Sequence, residues 1–203
     1  ENGKNDWLAI SQFEIDGSDS RRPDIILFLN GMPVVVMELK APEDVAATLR
    51  HAFNQINTYM RNIPSLFRTN LLNVISDGFT ARYGTISADF SRYMRWRTVD
   101  GIHKVKDTED LAIETLVNGL LPQDRILQIL RFFTVFEHDG QNTIKKVAGY
   151  HQFFAARKGL ESIHRAATSD GNGRGGVFWH TQGSGKSLLM AFLGSILVHD
   201  PAM

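Results

Sequence analysis

The sequence predicts an α/β fold in two parts: a mixed sheet flanked by helices, followed by the opening strand and helix of a second unit. Three observations carry this. The stretch from Pro23 to Lys40, PDIILFLNGMPVVVMELK, holds two apolar runs joined by Asn30-Gly31, the pattern of paired strands covered on both faces. Amphipathic helical spacings alternate with short apolar strands through the rest of the chain. Near the end, Gly183-Ser184-Gly185-Lys186-Ser187 stands where a strand passes into a helix through a glycine-rich turn. The chain has 203 residues, enough for one large domain or for one domain and part of another. It begins at Glu1 rather than Met and is expected to be a piece of something longer.

Taken in order, Trp7 to Ile15 alternates loosely and reads as a strand, and the polar segment after it leads to Pro23. Glu14 and Asp16 flank that segment as solvent-facing acids. Two strands follow within Pro23–Lys40. Ala41-Pro42 ends the second, and Glu43-Asp44 are expected to open a helix to about Asn62, acids in a first turn suiting the helix dipole. Leu49, Phe53, Ile56 and Met60 mark its apolar face, with Gln55 and Tyr59 stacked one turn apart beside it. Leu71 to Ile75 reads as a buried strand that breaks at Ser76-Asp77-Gly78, Asp77 being a turn former. From Tyr83 to Thr98 arginines interleave with aromatic residues. This suits either a phosphate-and-base surface or a half-exposed ribbon. Helices are expected over Asp107 to Leu121 and Arg125 to Glu137, and a domain boundary near Asp139 to Ile144, dividing the chain into 1–140 and 141–203. A further helix, Tyr150 to Ala167, precedes a glycine-rich connector and a short strand, Val177 to Trp179.

The charge balance, 22 basic against 22 acidic residues, excludes a chain that coats nucleic acid by bulk charge. The distribution is uneven: residues 61 to 106 carry eight Lys/Arg and three acids, residues 107 to 142 two and seven. There is no cysteine, so disulfides and thiolate zinc sites are excluded and a cytoplasmic setting is expected. No apolar run approaches the ~20 residues of a membrane span.

Within Pro23–Lys40 the surviving ionisable groups are Asp24, Glu38 and Lys40. Side chains alternate along a strand, so Glu38 and Lys40 point the same way, and Asp24 can join them from the neighbouring strand. Two hard carboxylates and an ammonium in one pocket suit a divalent cation such as Mg²⁺, with a lysine beside it to orient water. Register decides whether they meet. A regular two-residue turn at Asn30-Gly31 pairs Asp24 with Met37 and puts Glu38 on the opposite face. The site therefore requires a bulge in this hairpin.

The later motif reads as the tail of a Walker A loop. Glycines aim backbone N–H groups at phosphates, Lys186 reaches the outer phosphates and Ser187 can ligate Mg²⁺. His180 stands where the general pattern has its first glycine. An acidic Walker B strand is expected beyond Met203, so the piece is expected to bind ATP at most, without hydrolysing it.

Together, RPDIILFLNGMPVVVMELKAP, the helix with Gln55-Ile56-Asn57-Thr58-Tyr59, KKVAGYHQFFAARKGLE and GGVFWHTQGSGKSLLM resemble the N-terminal part of the R (motor and endonuclease) subunit of type I restriction enzymes. The resemblance spans nearly the whole chain. It implies a PD-(D/E)xK nuclease domain of the RecB-like kind, with the QxxxY extension, over residues 1–140. It also implies the truncated start of a RecA-like, superfamily 2 helicase domain over 141–203. On it, Asp24 and Glu38 become metal ligands, Lys40 the catalytic lysine, and Gln55 and Tyr59 an accessory pair. Gln152 becomes an adenine-reading residue, and Thr181, Gly183, Ser184, Gly185, Lys186 and Ser187 the phosphate site. His at position 180 is ordinary in that family. The helix with a further acid that many such nucleases carry ahead of the first strand has no counterpart before Trp7. The resemblance implies Mg²⁺-dependent cleavage of double-stranded DNA, an ATP-driven motor, and methylation and specificity subunits as partners. Two other readings stay open: a non-catalytic DNA-docking module with a degenerate nuclease fold, and a helicase-type ATPase fragment without nuclease activity.

Overall fold

The computed structural model describes residues 4–41, 48–105 and 112–202. Its centre is a five-stranded mixed sheet in the order β1 (Trp7–Ser11), β2 (Ile25–Leu29), β3 (Met32–Leu39), β4 (Leu72–Ser76), β5 (Ala81–Gly84). Neighbours run antiparallel except β3 and β4, which are parallel and joined by a crossover through α1 (Leu49–Asn62). The expected start of that helix at Glu43-Asp44 lies outside the described residues. Thr48 caps it, its hydroxyl accepting from the His51 amide at 3.4 Å.

The β2–β3 hairpin settles the register. Asn30 and Gly31 both have positive φ, 52° and 76°, as the tight turn of a twisted hairpin requires, and Leu29 pairs with Met32. Phe28 then faces Pro33, but Leu27 faces Val35, so Val34 is an extra residue in β3. Beyond that bulge the alternation of β3 changes sides. Val34 and Val35, adjacent in sequence, enter one core together, while Val36 joins Ile26 and Ile75 in the other.

Each face of the sheet has its own core. On one side α1 lays Leu49, Ala52, Ile56 and Tyr59 against Ile26, Val36 and Ile75. Fully burying an aliphatic side chain such as Ile56 contributes about 1.5–3 kcal/mol. The buried stripe is rotated from the expected one: Tyr59 is inside, whereas Phe53 and Met60 are only partly covered. On the other side Val35, Met37, Leu72, Val74 and Tyr83 meet α2 (Ala112–Leu120), α3 (Gln123–Phe132), α4 (Tyr150–Ala167) and α5 (Lys186–Val198). The expected beginning of α2 at Asp107 lies outside the described residues.

Two expectations are corrected here. The helix over Arg125 to Glu137 ends at Phe132, and Thr134–His138 is a strand, β6, paired antiparallel with β7 (Thr143–Val147). Thr134, Val135 and Phe136 are β-branched or aromatic, and pairing with β7 overrides the helical period. The expected boundary near Asp139 to Ile144 lies at the tip of this hairpin. Its glycine and polar residues make a turn, and one apolar cluster continues from Val35 and Leu72 to Phe153, Leu189 and Phe192. Residues 177–179 do not form a strand; Val177 and Trp179 are 90% and 93% exposed, with no sheet partner among the described residues. Among the described residues no helix is long and apolar enough to cross a membrane.

Candidate active site

The bulge brings the first group of predicted residues together. With Ile25 opposite Met37, the next step of the ladder sets Asp24 across from Glu38, and the Leu39 amide donates to Asp24 Oδ2 at 2.8 Å. Lys40 Nζ donates to Glu38 Oε1 at 2.5 Å, and the Tyr59 hydroxyl donates to Glu38 Oε2 at 2.9 Å. Gln55, one turn earlier on α1, hydrogen-bonds the Tyr59 hydroxyl through its side chain. All five residues, Asp24, Glu38, Lys40, Gln55 and Tyr59, therefore form one connected group where α1 crosses the ends of β2 and β3.

Its electrostatics are those of a crowded, half-dry anionic pocket. Glu38 is 3% exposed. Burial pushes its carboxyl above the usual range; the Lys40 hydrogen bond opposes this, and the charge of Asp24 adds to it. Burial also raises the Tyr59 hydroxyl, so it stays protonated and serves as a donor.

One member of the group was not foreseen. Gln12 Nε2 donates to Asp24 Oδ1 at 2.7 Å, and the Gln12 amide donates to the Asp24 carbonyl at 3.0 Å. Gln12 has φ of 54° just past β1, and nothing in SQF marks it. Only the β1–β2 register, which ends with Ser11 opposite Ile25, sets it beside Asp24. Asp77 is the turn former expected, its Oδ1 accepting from the amides of Phe79 and Thr80. Glu14 accepts from the Ser20 hydroxyl on the surface.

The second group assembles around the glycine-rich loop. Gly183 and Gly185 have φ of 78° and 77°, and Gly185 leads into α5 at Lys186. Lys186 Nζ donates to the carbonyls of Thr181 at 2.9 Å and His180 at 3.3 Å, while Ser187 is exposed at the first turn. Ser184 Oγ is buried without a hydrogen-bond partner. Gln152, 5% exposed, accepts from the Gly149 amide at 2.8 Å and donates to the Gly185 carbonyl at 3.0 Å, tying α4 to the loop. A Cβ at Gly185 would lie 2.5 Å from Gln152 Nε2, so glycine is needed there for space as well as for backbone angle. His151 Nε2 lies 3.1 Å from the Ser184 carbonyl, a contact that no motif marks beyond the neighbouring Gln152. Burial and the nearby His151 and Lys186 lower the His180 pKa. A cleft of about 490 Å³ opens between this loop and the segment Thr85–Met94.

The aromatic residues of 83–98 belong mostly to the interior. Tyr83, Tyr93 and Trp96 are buried, Tyr83 donating to the Ala148 carbonyl at 2.8 Å, so these rings are not a base-stacking surface.

Residues 1–92 match the family model described as type I restriction enzyme R protein N terminus, and residues 151–203 match that of the SWI2/SNF2 ATPase. The type I restriction enzyme HindI endonuclease subunit of Haemophilus influenzae is 42% identical, over 99% of this chain and 19% of that protein. A putative MjaIXP endonuclease subunit of Methanocaldococcus jannaschii is 30% identical, over 93% and 20%. A Staphylococcus aureus type I endonuclease subunit is 28% identical, over 91% and 18%. The chain spans about a fifth of the length of the curated relatives it matches. With both family matches in chain order and the similarity continuous from end to end, the chain belongs to the R-subunit family of type I restriction enzymes, as an N-terminal segment.

Proposed function

We propose that the first group is the active site of a Mg²⁺-dependent endonuclease of the PD-(D/E)xK type that cleaves double-stranded DNA. The carrying observation is the convergence of Asp24, Glu38 and Lys40 through the Val34 bulge. The donor set fits a hard divalent cation: two carboxylates share one face, and Glu38 is held at a raised pKa in part by Asp24. Among the described residues no group of three or more His, Cys, Asp or Glu could hold a metal, so water and phosphate oxygens would complete the shell, as Mg²⁺ tolerates. Bound there, the cation would supply Lewis-acid stabilisation and a water of lowered pKa. Asp24 and Glu38 would hold it, Asp24 fixed by Gln12 and the Leu39 amide, Glu38 by Tyr59. Lys40 would orient the attacking water and offset the negative charge that develops on the phosphate. Gln55 keeps the Tyr59 hydroxyl aimed.

The second group reads as the start of the ATP-driven motor. Lys186 would exchange its bonds to the loop carbonyls for nucleotide phosphates, and Ser187 would face the accompanying Mg²⁺. Thr181 and Gly183 to Gly185 would line the phosphates. Gln152 reading adenine would give up or share its present bonds to Gly149 and Gly185. On this reading the nuclease and motor units adjoin across the β6–β7 hairpin. The whole subunit would act in the cytoplasm with methylation and specificity subunits.

The test uses the full-length subunit assembled with its partners. Lys40→Ala and Glu38→Ala are expected to lower DNA cleavage by about 10²–10³-fold while ATP hydrolysis continues. Calorimetric titration of Mn²⁺ should show binding to wild type that Glu38→Ala loses. Undiminished cleavage by Lys40→Ala, or equal Mn²⁺ binding by both proteins, would overturn the reading.

A further inference from the structure

A second constellation lies on the same sheet face as the carboxylates. Glu38 pairs with Ile75 on β4, and Ile75 pairs with Arg82 on β5. Paired residues share a face, so Arg82 stands in the row of Glu38, two strand spacings or about 10 Å away. The bridge between Tyr83 and Met94 sets Arg95 next to Arg82 across the following segment. Arg82, Arg95 and Arg97 then line one open cleft of about 520 Å³, together with Tyr93, Tyr150 and His151.

This cleft is built for an anion. Three guanidinium groups share it, and none of the described residues that line it is acidic. Arg82 Nε is buried with no hydrogen-bond partner, while Arg95 and Arg97 each engage another group. The Arg82 guanidinium lies 5.6 Å from the centre of the Phe90 ring, and Arg50 of α1 lies over the same ring at 3.9 Å. Such stacking braces Arg82 on the α1 side and limits its rotamers. Guanidinium forks match phosphate oxygens in pairs and carry no base information.

We propose that Arg82, Arg95 and Arg97 bind the phosphate backbone of duplex DNA a few nucleotides from the bond to be cut, fixing the duplex against the carboxylate pocket. This rests on the nuclease reading of Asp24, Glu38 and Lys40 and assigns to that site its substrate track. The track runs from the sheet toward His151, whose ring contacts the glycine-rich loop.

The experiment measures binding of a fluorescent 20-base-pair duplex to the full-length subunit by anisotropy across a salt series, with EDTA present so that no cleavage occurs. Each lost phosphate contact should make the slope of log K against log salt shallower by about one. Arg82→Gln and Arg97→Gln should each show this and weaken binding at low salt, whereas Arg82→Lys should keep most of the slope. Thermal melting by circular dichroism reports whether each variant is folded, and the exposed Arg97 gives a readout that does not depend on the packed Arg82. Affinity and slope equal to wild type in folded Arg82→Gln and Arg97→Gln, or a wild-type chain that does not bind the duplex, would overturn the proposal. Since binding is read without metal, normal cleavage by Lys40→Ala would instead defeat the nuclease reading and leave the track standing.

Discussion

The hairpin pocket and the glycine-rich loop both place a lysine beside groups that suit phosphate chemistry, yet they are held in opposite ways. In the pocket, side chains fix side chains: Tyr59 and Lys40 take the two oxygens of Glu38, and Gln12 and a backbone amide take those of Asp24. Its members come from β2, β3, α1 and the residue after β1. In the loop, backbone does most of the holding. Lys186 rests on two carbonyls of its own loop, and the side chains of Gln152 and His151 join the loop to α4. A short local motif can therefore be read wherever it occurs, whereas a pocket built from distant elements exists only if the register delivers it.

The sharpest way to break this contrast is to shift the register of β3 against β2. Insertion of one alanine between Val36 and Met37 shifts Glu38 one step along β3, setting Asp24 across from Met37 with Glu38 on the opposite face, at the cost of moving Met37 out of its core. Cleavage by the assembled enzyme should fall below detection, and the melting temperature should drop well beyond the effect of a Val34→Ala exchange. ATP binding by the loop should survive at temperatures where the chain is folded.

A subtler probe is Tyr59→Phe, which removes one donor from Glu38 and leaves the packing of the ring. A hydrogen bond to a charged group is worth about 1.5–3 kcal/mol, and one pKa unit about 1.4 kcal/mol. The Glu38 pKa, already raised by burial, should rise further. Metal binding needs the ionised carboxylate, so the acid limb of the cleavage profile should move to higher pH, with about tenfold loss on that limb and recovery at alkaline pH. The sign for stability is opposite. A carboxyl whose folded pKa lies above its unfolded value stabilises the fold below the unfolded pKa, and that contribution is lost as pH rises through the folded pKa. The metal-free variant should lose more than wild type on this rise, and Mn²⁺ should restore both. A pH profile identical to wild type would show that Tyr59 does not act through Glu38.

The smallest effect is expected at the loop. Gln152→Ala leaves the Gly149 amide and the Gly185 carbonyl without their partner, a cost of about 1–3 kcal/mol. Faster hydrogen exchange at residues 183–186 in the variant would show that the glutamine holds the loop in place.

Much of this was legible in the residues. Asn30-Gly31 forced a turn with two positive φ angles, the acids at 24 and 38 demanded a bulge to meet, and Tyr150–Ala167 forms the helix its spacing predicts. The misreadings share one cause. Thr134–His138 continued a helical period but was drawn into pairing with β7, and Val177 to Trp179 had the composition of a strand but no strand beside it. Tyr83, Tyr93 and Trp96 left a stacking surface and a half-exposed ribbon both open, because an alternating sequence cannot say which face is covered.

By itself the sequence determined the local chemistry: two carboxylates and an amine near one turn, a glycine loop ending in lysine and serine, and apolar faces of the right period. Short-range sterics and side-chain alternation are enough for that. Tertiary structure alone decided where Val34 is accommodated, and with it that Glu38 is buried beside Asp24. It also decided that Gln12 and Tyr59 reach these acids and that Arg82 shares their face. Those outcomes depend on which strands pair and in what register, an energy spread over two cores and written in no single stretch of chain.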